Sequence, residues 1–405
     1  MPKRSGLVVS SGRRGMLLLL VHAALIQIIV FGIRPSLSYA ALDVGASPTL
    51  LGLLTAFYAL PALVLAMPAG RLTDVIGERA GMIIASVITV AATLVAVLGA
   101  RSLGMLIAAS VLLGCGQMMT VLAEQSFVGA ISPAGRSDSI FGIYGFAVAL
   151  GQTVGPLMLM LPGESAHTPP IRLVFTVGLV CAVLMLAVSL IIRGPEREVA
   201  QERVGMLRAA RTVLGTHGLP HALVAGSLVL ATVDIFVAYA PLLGQERGIP
   251  AAVISLMLVA RSGFSMISRL FLGPLARGLG RRWLLVGSIL VSALTLGAFF
   301  FGLPAWALVA LTCGYGFAIG VCQPITMSWI SLIAPTGMRG VAMSLRLASN
   351  RLGQTALPAL LGTLAAATGA AGVLGASGAL LLVAAGAGLG VPDDRGTGQS
   401  EVVAR

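Results

Sequence analysis

Charge is scarce in this chain: only 10% of its 405 residues are charged, against roughly 25% in an ordinary soluble domain. With 57% of the residues apolar, a soluble fold is excluded. At about 20 residues per bilayer crossing, twelve crossings consume roughly 240 residues, which leaves short loops and tails but no room for a large soluble domain. Lys3 is the only lysine, and a phosphate-binding loop needs a lysine after its glycines, so ATP hydrolysis is excluded. The four histidines, His22, His167, His217 and His221, form no HExxH, and no GxSxG elbow is present; familiar hydrolase chemistry is absent and the chain is not read as an enzyme. Four cysteines, Cys115, Cys181, Cys313 and Cys322, each lie in an apolar run without a CxxC or clustered histidines. They read as small hydrophobes, with no metal site and no cofactor expected.

What is abundant is apolar sequence of membrane-crossing length. Runs fall at about 16–39, 48–70, 80–100, 103–127, 138–162, 171–192, 219–243, 250–273, 283–303, 305–331, 339–366 and 370–391, each sufficient for a helical span. The predicted class is therefore an all-α integral membrane protein with twelve transmembrane helices. The first run follows Arg13 and Arg14 and ends near Ser38-Tyr39-Ala40, which imitates a secretory signal. It is too long for a signal core and eleven runs follow it, so it is taken as the first span.

The basic residues choose an orientation. With the N-terminus in the cytoplasm, that side receives Lys3, Arg4, Arg13, Arg14, Arg71, Arg79, Arg136, Arg277, Arg281, Arg282, Arg339, Arg395 and Arg405. It also receives the linker arginines 193, 197, 203, 208 and 211, whereas only Arg101, Arg172 and Arg247 fall outside. This is the positive-inside pattern. Both termini are expected in the cytoplasm, the chain being multi-pass in the inner membrane. The formal charge of +12 then reports topology and calls for no nucleic-acid partner.

The chain divides into two. The expected organisation is an N-terminal six-helix bundle over 1–192, a linker over 193–218, a C-terminal six-helix bundle over 219–391 and a cytoplasmic tail over 392–405. In the linker, Val204, Leu207, Ala210 and Leu214 recur at helical spacing opposite Arg203, Arg208 and Arg211, which predicts an interfacial helix; a solvated charged linker is the alternative. The halves repeat one another. GRLTDVIGER at 70–79 returns as GPLARGLGRR at 273–282, LGQTVGP at 150–156 as LGQTALP at 352–358, and ISPAG at 131–135 as IAPTG at 333–337. Each half holds an even number of spans, so the repeats enter from the same side and relate by an axis along the membrane normal.

In span count, in its halves and in the loop after the second span, the sequence resembles the major facilitator superfamily of transporters across essentially its whole length. The loop signature of that family is matched by Gly70, Asp74, Gly77 and Arg79, with Glu78 replacing one basic residue. The glycines are expected to permit a tight turn, and the aspartate to face the positive end of a neighbouring helix. The resemblance implies that this contact closes a cytoplasmic gate. Gly151-x-x-x-Gly155-Pro156 in the fifth span resembles the family's antiporter motif and implies helix packing there. The following glycine pair is replaced by Leu159 and Met160, and the fourth span lacks the arginine of many drug:proton antiporters; both departures weaken a drug-efflux assignment. The resemblance further implies that spans one, four, seven and ten line a central cavity, that three, six, nine and twelve face lipid, and that the protein is a monomer.

Seven charged residues lie within the expected spans: Arg34, Glu124, Asp234, Arg261, Arg269, Arg346 and Arg351. At ~3 kcal/mol each for exposure to lipid, a total of ~20 kcal/mol would exceed a typical folding free energy of about 5–15 kcal/mol, so most must face protein or water. Helical spacing sorts the polar residues into stripes: Gln27 with Arg34; Gln117, Thr120 and Glu124; Ser227 with Asp234; Tyr315, Gln323 and Thr326; Arg346, Asn350 and Gln354. Gln27, Arg34, Gln117, Thr120, Glu124, Asp234, Arg261, Tyr315, Gln323, Asn350 and Arg351 are the candidates for binding solute or proton. For Gln and Thr, interhelical hydrogen bonding is the alternative use; for Arg34 and Arg269, near opposite ends of their spans, it is snorkelling. Asp234 and Arg261 are both near mid-membrane and can pair.

Glu124 and Asp234 are the only carboxylates in the spans. Burial favours a protonated carboxyl and a nearby arginine an ionised one, so a site alternating between these conditions binds and releases a proton. Five arginines against two acids favour an anionic or zwitterionic solute. Charge reversal between the repeats suggests paired gates: Asp74 against the start of span eleven near Arg339 or Arg346, and Arg277 against Asp138, with ordinary helix capping as the alternative. The leading function is a secondary carrier exporting a small organic solute with proton coupling. Uptake of an organic anion is one rival, and a transport-inactive membrane receptor or scaffold is a rival of another class.

Overall fold

The structure is a computed structural model that describes residues 5–131, 137–163, 166–192, 211–216, 218–333 and 339–389. Every regular element among them is helical. Among the described residues ten helices are long and apolar enough to cross a bilayer, and Pro48–Val64 is a shorter apolar one. The last of the ten, within Arg339–Leu389, is two helices joined at Gly369, where φ is 64° and ψ −170°, so the described residues hold twelve spans. The interfacial helix expected in the linker falls mostly outside the described residues; residues 211–214 form one helical turn.

The spans follow from hydropathy, and their ends from glycine and proline. Span one is Ser5–Asp43. Span two is Pro48–Val64, opened by a proline in its first turn, where a missing N–H costs nothing. It bends at Leu65 and continues as the helix Ala66–Ile76. Span three is Glu78–Leu98, four is Leu103–Ile131, and five is Ser137–Val154 extended by a 3-10 turn over Gly155–Met160. Span six is Ile171–Ile191, seven Leu219–Glu246, eight Ala251–Leu270 with a short helix Leu272–Leu279 after it, nine Arg281–Ala298 and ten Ala305–Ile333.

One expectation about the loop after span two is corrected. Gly70 lies inside the helix Ala66–Ile76 and makes no turn; the chain reverses at Gly77, with φ 87° and ψ 162°. That conformation is open to glycine and strained for other residues. The repeat is visible in the same geometry: Gly280, between the short helix and span nine, has φ 79° and ψ 151°. Gly45 and Gly248, ahead of spans two and eight, share positive φ of 80° and 61°.

Two compact units emerge from the packing. The first comprises residues 1–47, 57–201 and 247–259, the second residues 48–56, 202–246 and 260–405. Each therefore holds a short segment from the other half of the sequence. In the first unit span one packs on five and six, and span three on four and six; in the second, seven and nine pack on the eleven–twelve hairpin, and nine also on ten. Small residues allow the closest approaches. A side chain at Gly151 would strike the Ala24 carbonyl of span one, and one at Gly353 would strike Ser227 of span seven, the repeat equivalents of one another. Likewise Gly114 sits on the Tyr58 carbonyl and Gly316 on that of Arg261. Large apolar side chains remain exposed on spans three, six, nine and twelve, among them Val87, Leu94, Val180, Leu184, Val291, Leu294, Leu382 and Val383.

Candidate functional site

Polar side chains gather in each unit, and three charged ones among them, Glu124, Asp234 and Arg261, are withdrawn from the surface. Glu124 is 0% exposed, Asp234 4% and Arg261 3%, so none of the three points at lipid.

In the first unit, span four carries Glu124 inward to the ring of His22 on span one, with Nδ1 and Oε1 2.6 Å apart. The other ring nitrogen, Nε2, lies 3.2 Å from Ser86 Oγ of span three. Tyr144 of span five donates its hydroxyl to the second carboxylate oxygen at 3.0 Å. Leu19, Ala23, Met82, Ala123, Phe127 and Val128 form the apolar wall of this cluster. A hydrogen bond shielded from water in this way is stronger than the same contact at the surface.

In the second unit the polar groups form a chain. Arg351 Nη1 donates to Gln354 Oε1 at 3.0 Å, and Gln354 Nε2 donates to Asp234 Oδ2 at 2.6 Å. The amide thus connects a guanidinium on span eleven to a carboxylate on span seven, its oxygen turned to the cation and its nitrogen to the anion. Arg261 donates to Ser262 Oγ at 2.7 Å. Tyr315, fully buried, shares a 3.0 Å hydrogen bond with Thr232.

The remaining candidates are dispersed. Gln27 is buried and receives Gln152 at 3.5 Å, a weak contact. Arg34 is buried with its guanidinium 4.2 Å from the centre of the Tyr58 ring, a cation–π contact; Arg269 is exposed at the end of its span. Gln117 Oε1, Thr120 Oγ1 and Asn350 Oδ1 are buried polar atoms without a hydrogen-bond partner. Such atoms are unusual in a folded interior. Gln323 is half-buried. Arg79 donates to the Leu190 carbonyl at 2.8 Å, at the C-terminal end of span six, where a cation meets the negative end of the helix dipole. Arg277 is exposed in the last turn of its short helix, and Arg346 is half-buried with Nε unpartnered. The side chains of Asp74, Asp138 and Arg339 lie outside the described residues, and with them the proposed gate pairs.

The sequence profile of the Major Facilitator Superfamily matches residues 19–239 and again 222–401. The chain belongs to the major facilitator superfamily. It is a transport protein and not an enzyme, embedded by many apolar helices. Solved transporters share its fold at low sequence identity. A D-xylose–proton symporter superposes with a TM-score of 0.74 at 16% identity, covering 94% of this chain and 99% of that one. The nucleoside transporter NupG gives 0.76 at 15%, covering 93% and 98%. A POT family transporter in complex with 5-aminolevulinic acid gives 0.71 at 16%, covering 92% and 94%. No curated protein matches the chain in sequence.

Within this superfamily member, sequence reasoning named Glu124 and passed over His22, Ser86 and Tyr144. A lone histidine in an apolar run carries no periodic signal. Depth could have found it: His22 is eight residues beyond Arg14 on a span that enters the membrane, and Glu124 is seven before Ile131 on one that leaves, so both lie ~10–12 Å from the same face.

Proposed function

We propose that this protein moves a small organic solute across the cytoplasmic membrane by alternating access, driven by protons, with export as the favoured direction and both termini in the cytoplasm. The observation that carries the reading is a buried, hydrogen-bonded carboxylate in each unit, Glu124 and Asp234. Ionisable groups so deep in membrane helices are costly unless used. Partnerless buried oxygens on Gln117 and Thr120 in one unit, and on Asn350 in the other with Arg351 next to it in sequence, are groups each unit offers to a polar solute. The expected bundles, over 1–192 and 219–391, are the moving bodies, and the carrier acts as a monomer.

A second reading is uptake of an organic anion with protons. The excess of arginines within the spans supports it, and one relative of the same fold is described as a D-xylose–proton symporter.

The test is flux in vesicles of purified protein under an imposed pH gradient. Candidate solutes come from a panel of organic anions, cations and sugars screened for a rise in melting temperature, since a ligand bound to the folded state stabilises it. Glu124→Gln or Asp234→Asn is expected to abolish acceleration of flux by the gradient while sparing downhill exchange. Unchanged gradient dependence in both variants would refute the proton-coupled reading.

A further inference from the structure

The positive-inside pattern leaves three arginines at the opposite ends of the helices, Arg101, Arg172 and Arg247. Two of them line one cavity. It measures about 860 Å³ and lies at the end of the first unit away from the N-terminus, where spans one and three finish and spans four and six begin. Sites for small molecules typically measure about 300–1,000 Å³. The charged lining is Arg101, Arg172 and the carboxylate of Asp43, two cations against one acid. Among the described residues neither guanidinium enters an ion pair. His167, in the loop before span six, lies against the Gly248 carbonyl at 3.2 Å, and Glu164 of that loop lies outside the described residues.

The backbone around the cavity adds to its preference for an anion. Arg172 stands in the first turn of span six, which carries no acid, and Pro170 ahead of the helix supplies no side-chain cap. A cation at the positive end of a helix is disfavoured by the dipole, whereas an anion bound there is attracted by both. Pro162, Pro169 and Pro170 form part of the wall, and their fixed φ stiffens it.

The cavity is also continuous with apolar surface. Leu98 and Leu173 line it, and both are exposed. From Leu98 an exposed stripe continues along span three through Leu94 and Val87; from Leu173 another continues along span six through Val180 and Leu184. Each advances by steps of four and seven residues, which keeps its members on one helical face, and spans three and six pack on one another. A charged recess that leads onto two apolar stripes has the polarity of a phospholipid, head at the helix ends and chains alongside. A water-soluble anion would use the recess alone.

We propose that this cavity binds an anionic phospholipid of the leaflet at that end, the outer one in the orientation proposed above. Arg101 and Arg172 hold the phosphodiester, because a guanidinium presents paired donors that match two phosphate oxygens. Asp43 accepts from a headgroup hydroxyl, and the acyl chains follow the stripes on spans three and six. Basic recesses between membrane helices recognise headgroups in this way. Snorkelling accounts for a single arginine at a span end; it gives no reason for two to converge on one recess. The site does not depend on the carrier reading.

The test is thermal melting of the full-length protein in detergent, titrated with phosphatidylglycerol, phosphatidylcholine or soluble glycerol phosphate. A lipid bound to the folded state raises the melting temperature. Phosphatidylglycerol is expected to act at lower concentration than phosphatidylcholine, and glycerol phosphate to have no effect. Arg101→Gln combined with Arg172→Gln should require about tenfold more phosphatidylglycerol for the same rise. Arg247→Gln, which removes the third arginine of that end, should titrate as the wild type does. Equal action of the two phospholipids, an unaltered titration in the double variant, or an equal loss in Arg247→Gln overturns the proposal. A rise with glycerol phosphate as large as with phosphatidylglycerol assigns the recess to a water-soluble anion and overturns it too. Should the double variant fail to fold, a phosphatidylglycerol analogue with a photoreactive acyl chain decides on the wild type. Labelling is expected on spans three and six near the cavity, and labelling confined to other spans overturns the site.

Discussion

Gln354 lies between Arg351 and Asp234, and its amide nitrogen stands 2.6 Å from the Asp234 carboxylate. An amide cannot reverse its polarity without breaking both contacts, so a neutral side chain transmits the attraction between a cation and an anion on different helices. Replacing Gln354 with leucine removes both hydrogen bonds at a buried position. The expected cost is ~1–3 kcal/mol, read as a lower melting temperature in detergent. An unchanged melting temperature would show that the bridge contributes nothing.

Gly77 and Gly280 occupy equivalent turns in the two repeats with φ of 87° and 79°. No atom within 4 Å crowds a side chain at Gly77, so any penalty for Gly77→Ala is backbone strain, about 1–3 kcal/mol. The control is Gly142→Ala, also in open space but inside a helix, where alanine should be neutral or stabilising by up to ~1 kcal/mol. Paired thermal melts check the contrast. Equal behaviour of the two variants would contradict the turn.

Arg79 should hold the end of span six. Its guanidinium donates to the Leu190 carbonyl from an exposed position, so Arg79→Ala is expected to cost only ~0.5–1.5 kcal/mol globally. Amide hydrogen exchange should show faster exchange confined to the last turn of Ile171–Ile191. Spread of the effect over the whole span would indicate a larger role.

Gly151 marks the tightest contact between spans five and one. A methyl group there would meet the Ala24 carbonyl and stand 2.7 Å from Gln27 Cβ, and backbone cannot yield cheaply. Gly151→Ala should lower the melting temperature more than Gly145→Ala, which has nothing within 4 Å. Size-exclusion profiles and thermal melts of the two variants make the comparison.

Part of the candidate site was legible before any coordinates. Burial of Glu124, Asp234 and Arg261 followed from the price of exposing charge to lipid, an argument that needs no partner. The turn at Gly77 was legible from its residue type, but Gly70 was misplaced, because a signature shows which residues recur and not which of them bend the chain. Arg34 reads as a binding candidate, with snorkelling as the alternative, because it is near a span end; the Tyr58 ring beside its guanidinium lies on a different helix.

Composition and repetition along one dimension determined that this chain is a bundle of twelve apolar helices in two related halves, because hydropathy and periodicity are properties of local sequence. Tertiary structure alone decided that His22 meets Glu124, 102 residues away, and that Gln354 joins Arg351 to Asp234. Such partnerships depend on how far each helix is rotated and how deeply it sits against its neighbours. Packing of glycines and apolar side chains sets those two quantities, and no stretch of sequence records them singly.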